Sequence, residues 1–247
     1  MNLPNASVLS VALLAFAAAI ASTGCRNAPG KPSPGTEVAR PDEVVEFATL
    51  YGQNCAACHG ANGKNGAAIS LATPVYIAVA GVANIQRVTE NGVPGTAMPP
   101  FGKSAGGMLT DRQISVIATG MESNWGSSAT LAGLILPPYA SSGPGNAAQG
   151  QKTFATSCAR CHGTDGTGRA AAAGGVSTGS LVDPAYLALI SDQGLRSIII
   201  AGQTEQGAHD WRSYADRAIA GQEITDIVAW LASYRVATPG QPYQQRQ

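Results

Sequence analysis

Two pentapeptides, Cys55-Ala56-Ala57-Cys58-His59 and Cys158-Ala159-Arg160-Cys161-His162, take four of the five cysteines in this 247-residue chain. Cysteines three positions apart on a helical turn can bond the two vinyl groups of a haem, and the histidine that follows can reach its iron. Two covalently bound haem c groups are therefore the expected cofactors. Cys55, Cys58, Cys158 and Cys161 would be the attachment points, and His59 and His162 the iron ligands. The same thiols would also suit a four-sulfur zinc site, structural disulfides or a thioredoxin-like redox pair. Against zinc, the two pairs are far apart in sequence and each has its own histidine. Against the redox pair, no βαβ pattern surrounds either motif.

A haem iron held by one histidine has a sixth position to fill. Met98 stands in the loop sequence Pro94-Gly95-Thr96-Ala97-Met98-Pro99-Pro100-Phe101-Gly102, thirty-nine residues after His59. Proline and glycine exclude regular structure there and leave a soft thioether on a tight loop, suited to iron. Met108 follows Gly106-Gly107 without such a frame, and Met121 falls on the apolar face of a helix, a packing position. The second half of the chain contains no methionine. Its one histidine outside the motif is His209, in Ala201-Gly202-Gln203-Thr204-Glu205-Gln206-Gly207-Ala208-His209-Asp210-Trp211, forty-seven residues after His162. An extra segment from Arg169 to Gly179 explains most of the longer interval. Ala97-Met98 and Ala208-His209 then fall opposite one another if one residue is allowed for in the preceding loop. Bis-His ligation by His162 and His209 is the expectation, with a solvated loop histidine as the alternative.

These residues sit in a repeated frame. A helical pattern runs from Pro41 to Asn54 into the first motif, with Asp42 and Glu43 near its start, and another from Asn146 to Ser157 into the second. Tyr51 and Phe154 each precede the first motif cysteine by four residues, one helical turn. Thr110-Asp111 opens a later helix with Ile114, Ile117, Ala118 and Met121 at helical spacing, and Ile224, Ile227, Val228 and Leu231 repeat that pattern. A duplicated helical domain explains both sets. Sustained period-two alternation is missing, so the fold class is mainly α with long loops. Domain 1 spans 41–125, a Gly- and Pro-rich linker 126–144, domain 2 145–235 and a flexible tail 236–247.

Ser7 to Ser22 is apolar and small, a signal-peptide core too short to favour a stable span. It ends in Ser22-Thr23-Gly24-Cys25, which resembles a bacterial lipoprotein cleavage site. That resemblance implies a signal peptide 1–24, a lipidated Cys25 and a tether 25–40 rich in proline; a free or dimer-forming Cys25 is the alternative. Zero formal net charge and 12 % charged residues argue against a nucleic-acid groove. Arg160, Arg169, Arg196, Arg212 and Arg217 concentrate in the second half, where a solvated surface balanced by carboxylates is expected rather than a docking patch.

The segments Asn54 to Gly66, Asn91 to Gly102 and Ser157 to Gly168 resemble class I c-type cytochromes, and the whole resembles an exported dihaem cytochrome c. The resemblance implies two tandem cytochrome c-like domains, with Met98 as the usual methionine ligand on the loop before the last helix. It implies electron transfer in a respiratory or photosynthetic chain, in the periplasm or cell envelope, with redox proteins or a membrane electron-transfer complex as partners. His/Met ligation raises haem potential, so electrons are expected to run from the second haem to the first. The alternatives are a haem-based oxidoreductase of peroxidase or sulfur-compound dehydrogenase type, or the haem subunit of a dehydrogenase.

Overall fold

The computed structural model describes residues 39–127, 129–170, 177–214 and 217–237. The expected signal peptide, Cys25, most of the tether and all but the first two residues of the tail lie outside the described residues. Among the described residues there are nine α-helices and no strand. In module 1 these are α1 (Phe47–Asn54), α2 (Ala56–His59), α3 (Pro74–Asn91) and α4 (Asp111–Trp125). In module 2 they are α5 (Ala147–Ser157), α6 (Ala159–His162), α7 (Pro184–Leu189), α8 (Asp192–Ala201) and α9 (Gly221–Ala232).

The first helix starts later than its acidic residues suggested. Pro41–Glu43 forms a separate 3-10 turn, and Glu46 is the N-cap of α1, its carboxylate accepting from the Ala48 and Thr49 amides at 2.9 and 2.6 Å. Two orphan amide donors are thereby satisfied four residues beyond Asp42. The other ends follow the sequence. Asn146 caps α5 through Gln149 N–H, and Thr110 caps α4 in a capping box with Gln113.

From the middle helix onward the modules match at a constant difference of 110 in residue number. Thr73 caps α3 and Asp183 caps α7; α3 ends at Gly92 and α8 at Gly202; Thr110 precedes α4 and Ala220 precedes α9. Gly81 kinks α3 at φ 64°, and at the same register Ser191 ends the break between α7 and α8 by capping α8. A glycine bends one helix where a serine cap starts a new one.

Each module buries its first and last helices against one another. Leu50 and Tyr51 of α1 pack with Ile114, Ile117 and Met121 of α4, and Tyr51 meets Trp125 edge-on at 5.0 Å. In module 2, Phe154 lies 4.4 Å from Trp230, beside Ile224 and Ile227. α5 approaches α9 so closely at Gly150 that a Cβ would sit 1.9 Å from the Asp226 carbonyl oxygen.

The linker is fastened rather than loose. Leu131 is buried, and Arg196 of α8, only 3 % exposed, donates to the carbonyls of Pro138, Tyr139 and Gly221 and to Thr225 Oγ1. Arg196 was expected on a solvated surface; the carbonyl cage explains how its guanidinium is buried without a carboxylate. Arg212 and Arg217 are more exposed and pair with Asp210 and Glu223. The modules belong to one compact unit beginning at Asp42, in which α3 packs against α8.

Candidate haem sites

Both motifs have one backbone geometry. Cys55 N–H donates to Tyr51 O at 2.8 Å, and the Cys55 carbonyl accepts from Cys58 N–H at 3.2 Å and His59 N–H at 3.0 Å. The matching distances at Cys158, Cys161 and His162 are 2.8, 3.1 and 3.0 Å. This turn puts the second cysteine and the histidine one helical turn past the first cysteine. Cys55 and Cys158 are half-buried against the core, while Cys58 and Cys161 are exposed. Among the described residues none of the four is in a disulfide. Burial, then the neighbouring Cys58, pushes the Cys55 thiol up to about 11, and burial with Cys161 pushes Cys158 up to about 12. Among the described residues no three His, Cys, Asp or Glu side chains converge to hold a metal ion.

The histidines complete the fit to haem. His59 is 8 % exposed, and its Nδ1 lies 2.8 Å from the Ile69 carbonyl. A proton on Nδ1 donates there, which orients the ring and leaves the Nε2 lone pair for iron. Burial lowers the His59 pKa against that bond, and burial lowers His162 as well, so both rings are favoured as neutral donors. Among the described residues, Nδ1 of His162 is buried without a hydrogen-bond partner. Paired cysteines beside an imidazole favoured as neutral, buried at His59 and half-buried at His162, fit two haem c groups.

The distal loops are superimposable in register. Val93 N–H donates to Met98 O at 3.0 Å, and Gln203 N–H to Ala208 O at 2.9 Å. Leu109 N–H donates to Phe101 O at 2.8 Å, and Ile219 N–H to Trp211 O at 3.0 Å. Gly92 and Gly202, both at positive φ, press on the same atoms of their loops. A Cβ on Gly92 would meet the Pro99 carbonyl carbon at 2.6 Å and Met98 O at 2.8 Å; on Gly202 it would meet the His209 carbonyl carbon at 2.6 Å and Ala208 O at 2.7 Å. Ala208 therefore holds the place of Met98, and His209 that of Pro99. Met98 and Ala208 are half-buried, while Pro99 and His209 are exposed.

The one-residue allowance that would bring His209 opposite Met98 is absent. The insertion falls between the motif and the middle helix: Leu71 N–H donates to Gly63 O and Leu181 N–H to Gly166 O, so the extra residues lie wholly before Leu181. Their middle, 171–176, lies outside the described residues.

Two features carried no sequence signal. Ser70 Oγ donates to Glu205 Oε1 across the modules, next in sequence to the carbonyl that holds His59, and among the described residues Glu205 Oε2 is buried without a partner. Tyr214 is half-buried; burial, with Cys158 and Asp210 nearby, raises its phenol pKa far above the ordinary value.

Residues 42–119 match the family model for subunit III of cbb3-type cytochrome c oxidase, and residues 147–235 the model for cytochrome c. The chain is 29 % identical over 152 residues to the cbb3-type cytochrome c oxidase subunit CcoP of Azospirillum sp. (strain B510), covering 55 % of this chain and 46 % of that protein. It is 28 % identical over 136 residues to the subunit FixP of Sinorhizobium medicae (strain WSM419), covering 51 % and 40 %. The chain thus spans less than half the length of these curated relatives. A chain of the reducing HAO-like protein complex of Kuenenia stuttgartiensis matches at a TM-score of 0.46 and 17 % identity, over 81 % of this chain and 100 % of that one.

Proposed function

This chain is a dihaem c-type cytochrome of two tandem cytochrome c domains, with haem c bound at Cys55/Cys58 and at Cys158/Cys161, and we propose that it is the haem subunit of a membrane-bound electron-transfer complex of terminal-oxidase type. The observation that carries this is the doubling of one site inside one compact unit: the same cysteine turn, followed by a histidine whose ring burial favours as neutral, occurs in two modules that pack together. The haem supplies reversible one-electron chemistry. The chain fixes where that chemistry occurs.

In this reading His59 and His162 are the proximal ligands. The Ile69 carbonyl orients the His59 ring. Met98 would supply a second ligand to the first haem iron, from a loop that Gly92 and two prolines hold against the end of α3. The Ser70–Glu205 bond keeps the distal loop of module 2 against the segment that positions His59. The two redox sites then work as a relay.

Export to the periplasm or cell envelope, with Cys25 lipidated, is the matching location. Cell fractionation tests it: the chain is expected in the membrane fraction, and Cys25→Ser should release it. Affinity capture of the full chain from detergent-solubilised membranes should bring oxygen-reducing activity with it. Capture of the dihaem chain alone under the mildest detergent would contradict membership of such a complex.

A further inference from the structure

The distal loops differ at one structurally equivalent position, and the difference has a chemical consequence. A methionine thioether can ligate iron; an alanine methyl cannot. Ala208 is placed opposite Met98 by two backbone hydrogen bonds and by the contacts of Gly202, three independent registers that agree.

Module 2 offers little to replace the thioether. From 145 to 235 it has no methionine, and its cysteines are those of the motif. The insertion's residues 171–176 are only alanine, glycine and valine. Lys152 lies exposed on α5, the helix that leads into the motif. His209 remains. Its side chain leaves the loop one residue after the Met98 position, where module 1 has an exposed proline, and it is exposed itself. Its backbone is pinned: the α8 terminus at Gly202 leaves no room for even a Cβ against the His209 carbonyl. Sliding the loop by one residue would break the Gln203–Ala208 bridge and the Trp211–Ile219 bond, and would lift Trp211, 3 % exposed, from the core.

Building on the dihaem reading, we propose that Ala208 leaves the distal side of the second haem without a protein ligand, making it a binding site for small diatomic ligands of the π-acceptor class. The first haem, with Met98, is closed to them. The chain then combines one electron-carrying site with one ligand-accepting site, on a surface that touches the proximal segment of the first module through Ser70 and Glu205.

The test uses the matured full-length protein, reduced and titrated with carbon monoxide, with bound haem counted by pyridine haemochrome. The expected result is one carbon monoxide for two haems, unchanged in His209→Ala and abolished in Ala208→Met, whose optical spectrum should gain a second thioether-ligated haem. No binding in the wild type, with binding appearing only in His209→Ala, would overturn the proposal and make His209 the ligand. Binding that survives Ala208→Met would also overturn it. Either failure with two haems present leaves the dihaem electron carrier intact, whereas fewer than two haems, or none that is reversibly reduced, would remove that reading itself.

Discussion

Ala208 stands in module 2 where Met98 stands in module 1, each accepting a hydrogen bond from the residue after the glycine that ends its middle helix. The two haem sites share the backbone turn of the motif and differ at the facing loop. Attachment fixes where electrons rest; the distal residue fixes how strongly and what else can bind.

Met98→His should lower the potential of the first haem and leave the second unchanged, because a second imidazole stabilises ferrous iron less than a thioether does. Met98→Ala should instead open the first iron and raise carbon monoxide uptake to two per chain. Spectroelectrochemistry and ligand titration read the two outcomes separately.

Arg196→Met should destabilise the folded holoprotein by about 1–3 kcal/mol, since the carbonyls of Pro138, Tyr139 and Gly221 lose a buried donor. Denaturant unfolding followed by tryptophan fluorescence measures it. A cost near zero would mean that water replaces the guanidinium at these carbonyls.

The start of α9 depends on acid. A hydrogen bond from Arg217 holds the Glu223 carboxyl below its ordinary value against partial burial, and the Ala220 amide adds to it. With the folded pKa depressed, this contribution is fully present above the unfolded value of 4.5 and is lost as pH falls through the folded one. Glu223→Gln should lower stability at neutral pH and flatten the acid limb of the stability profile. Parent and variant should converge below the folded pKa.

Glu205→Ala, which removes the acceptor of Ser70, should slow electron exchange between the haems while leaving both optical spectra in place. Pulse-radiolysis kinetics on the matured protein would measure this. An unchanged exchange rate would show that the α3–α8 packing alone sets the distance.

Much of this was legible in the sequence because it rests on residue type. The cysteine turns, the capping Thr110 and Asn146, and the apolar spacing of both final helices state their roles locally, and the structure has them so. What escaped depends on long-range partners. The start of α1 moved to Glu46 because two amides were within reach of its carboxylate. Arg196 reads like any surface arginine until the linker folds over it. The length of the insertion could be counted from the sequence, but its position could not; only the hydrogen bonds of Leu71 and Leu181 confine it to the segment before the middle helix, which shifts the distal register by the one residue that separates Ala208 from His209. A carbonyl such as that of Ile69 has no sequence signature at all.

The central claim is two covalent haems, one in each module, both redox-active. The most direct measurement is an optical redox titration of the matured chain alongside its Cys158→Ala/Cys161→Ala variant, with intact mass giving the haem count. The account predicts two haems and two one-electron transitions in the parent chain, and one haem with one transition retained by the variant. A single haem in the parent, or a mass showing none, would contradict it.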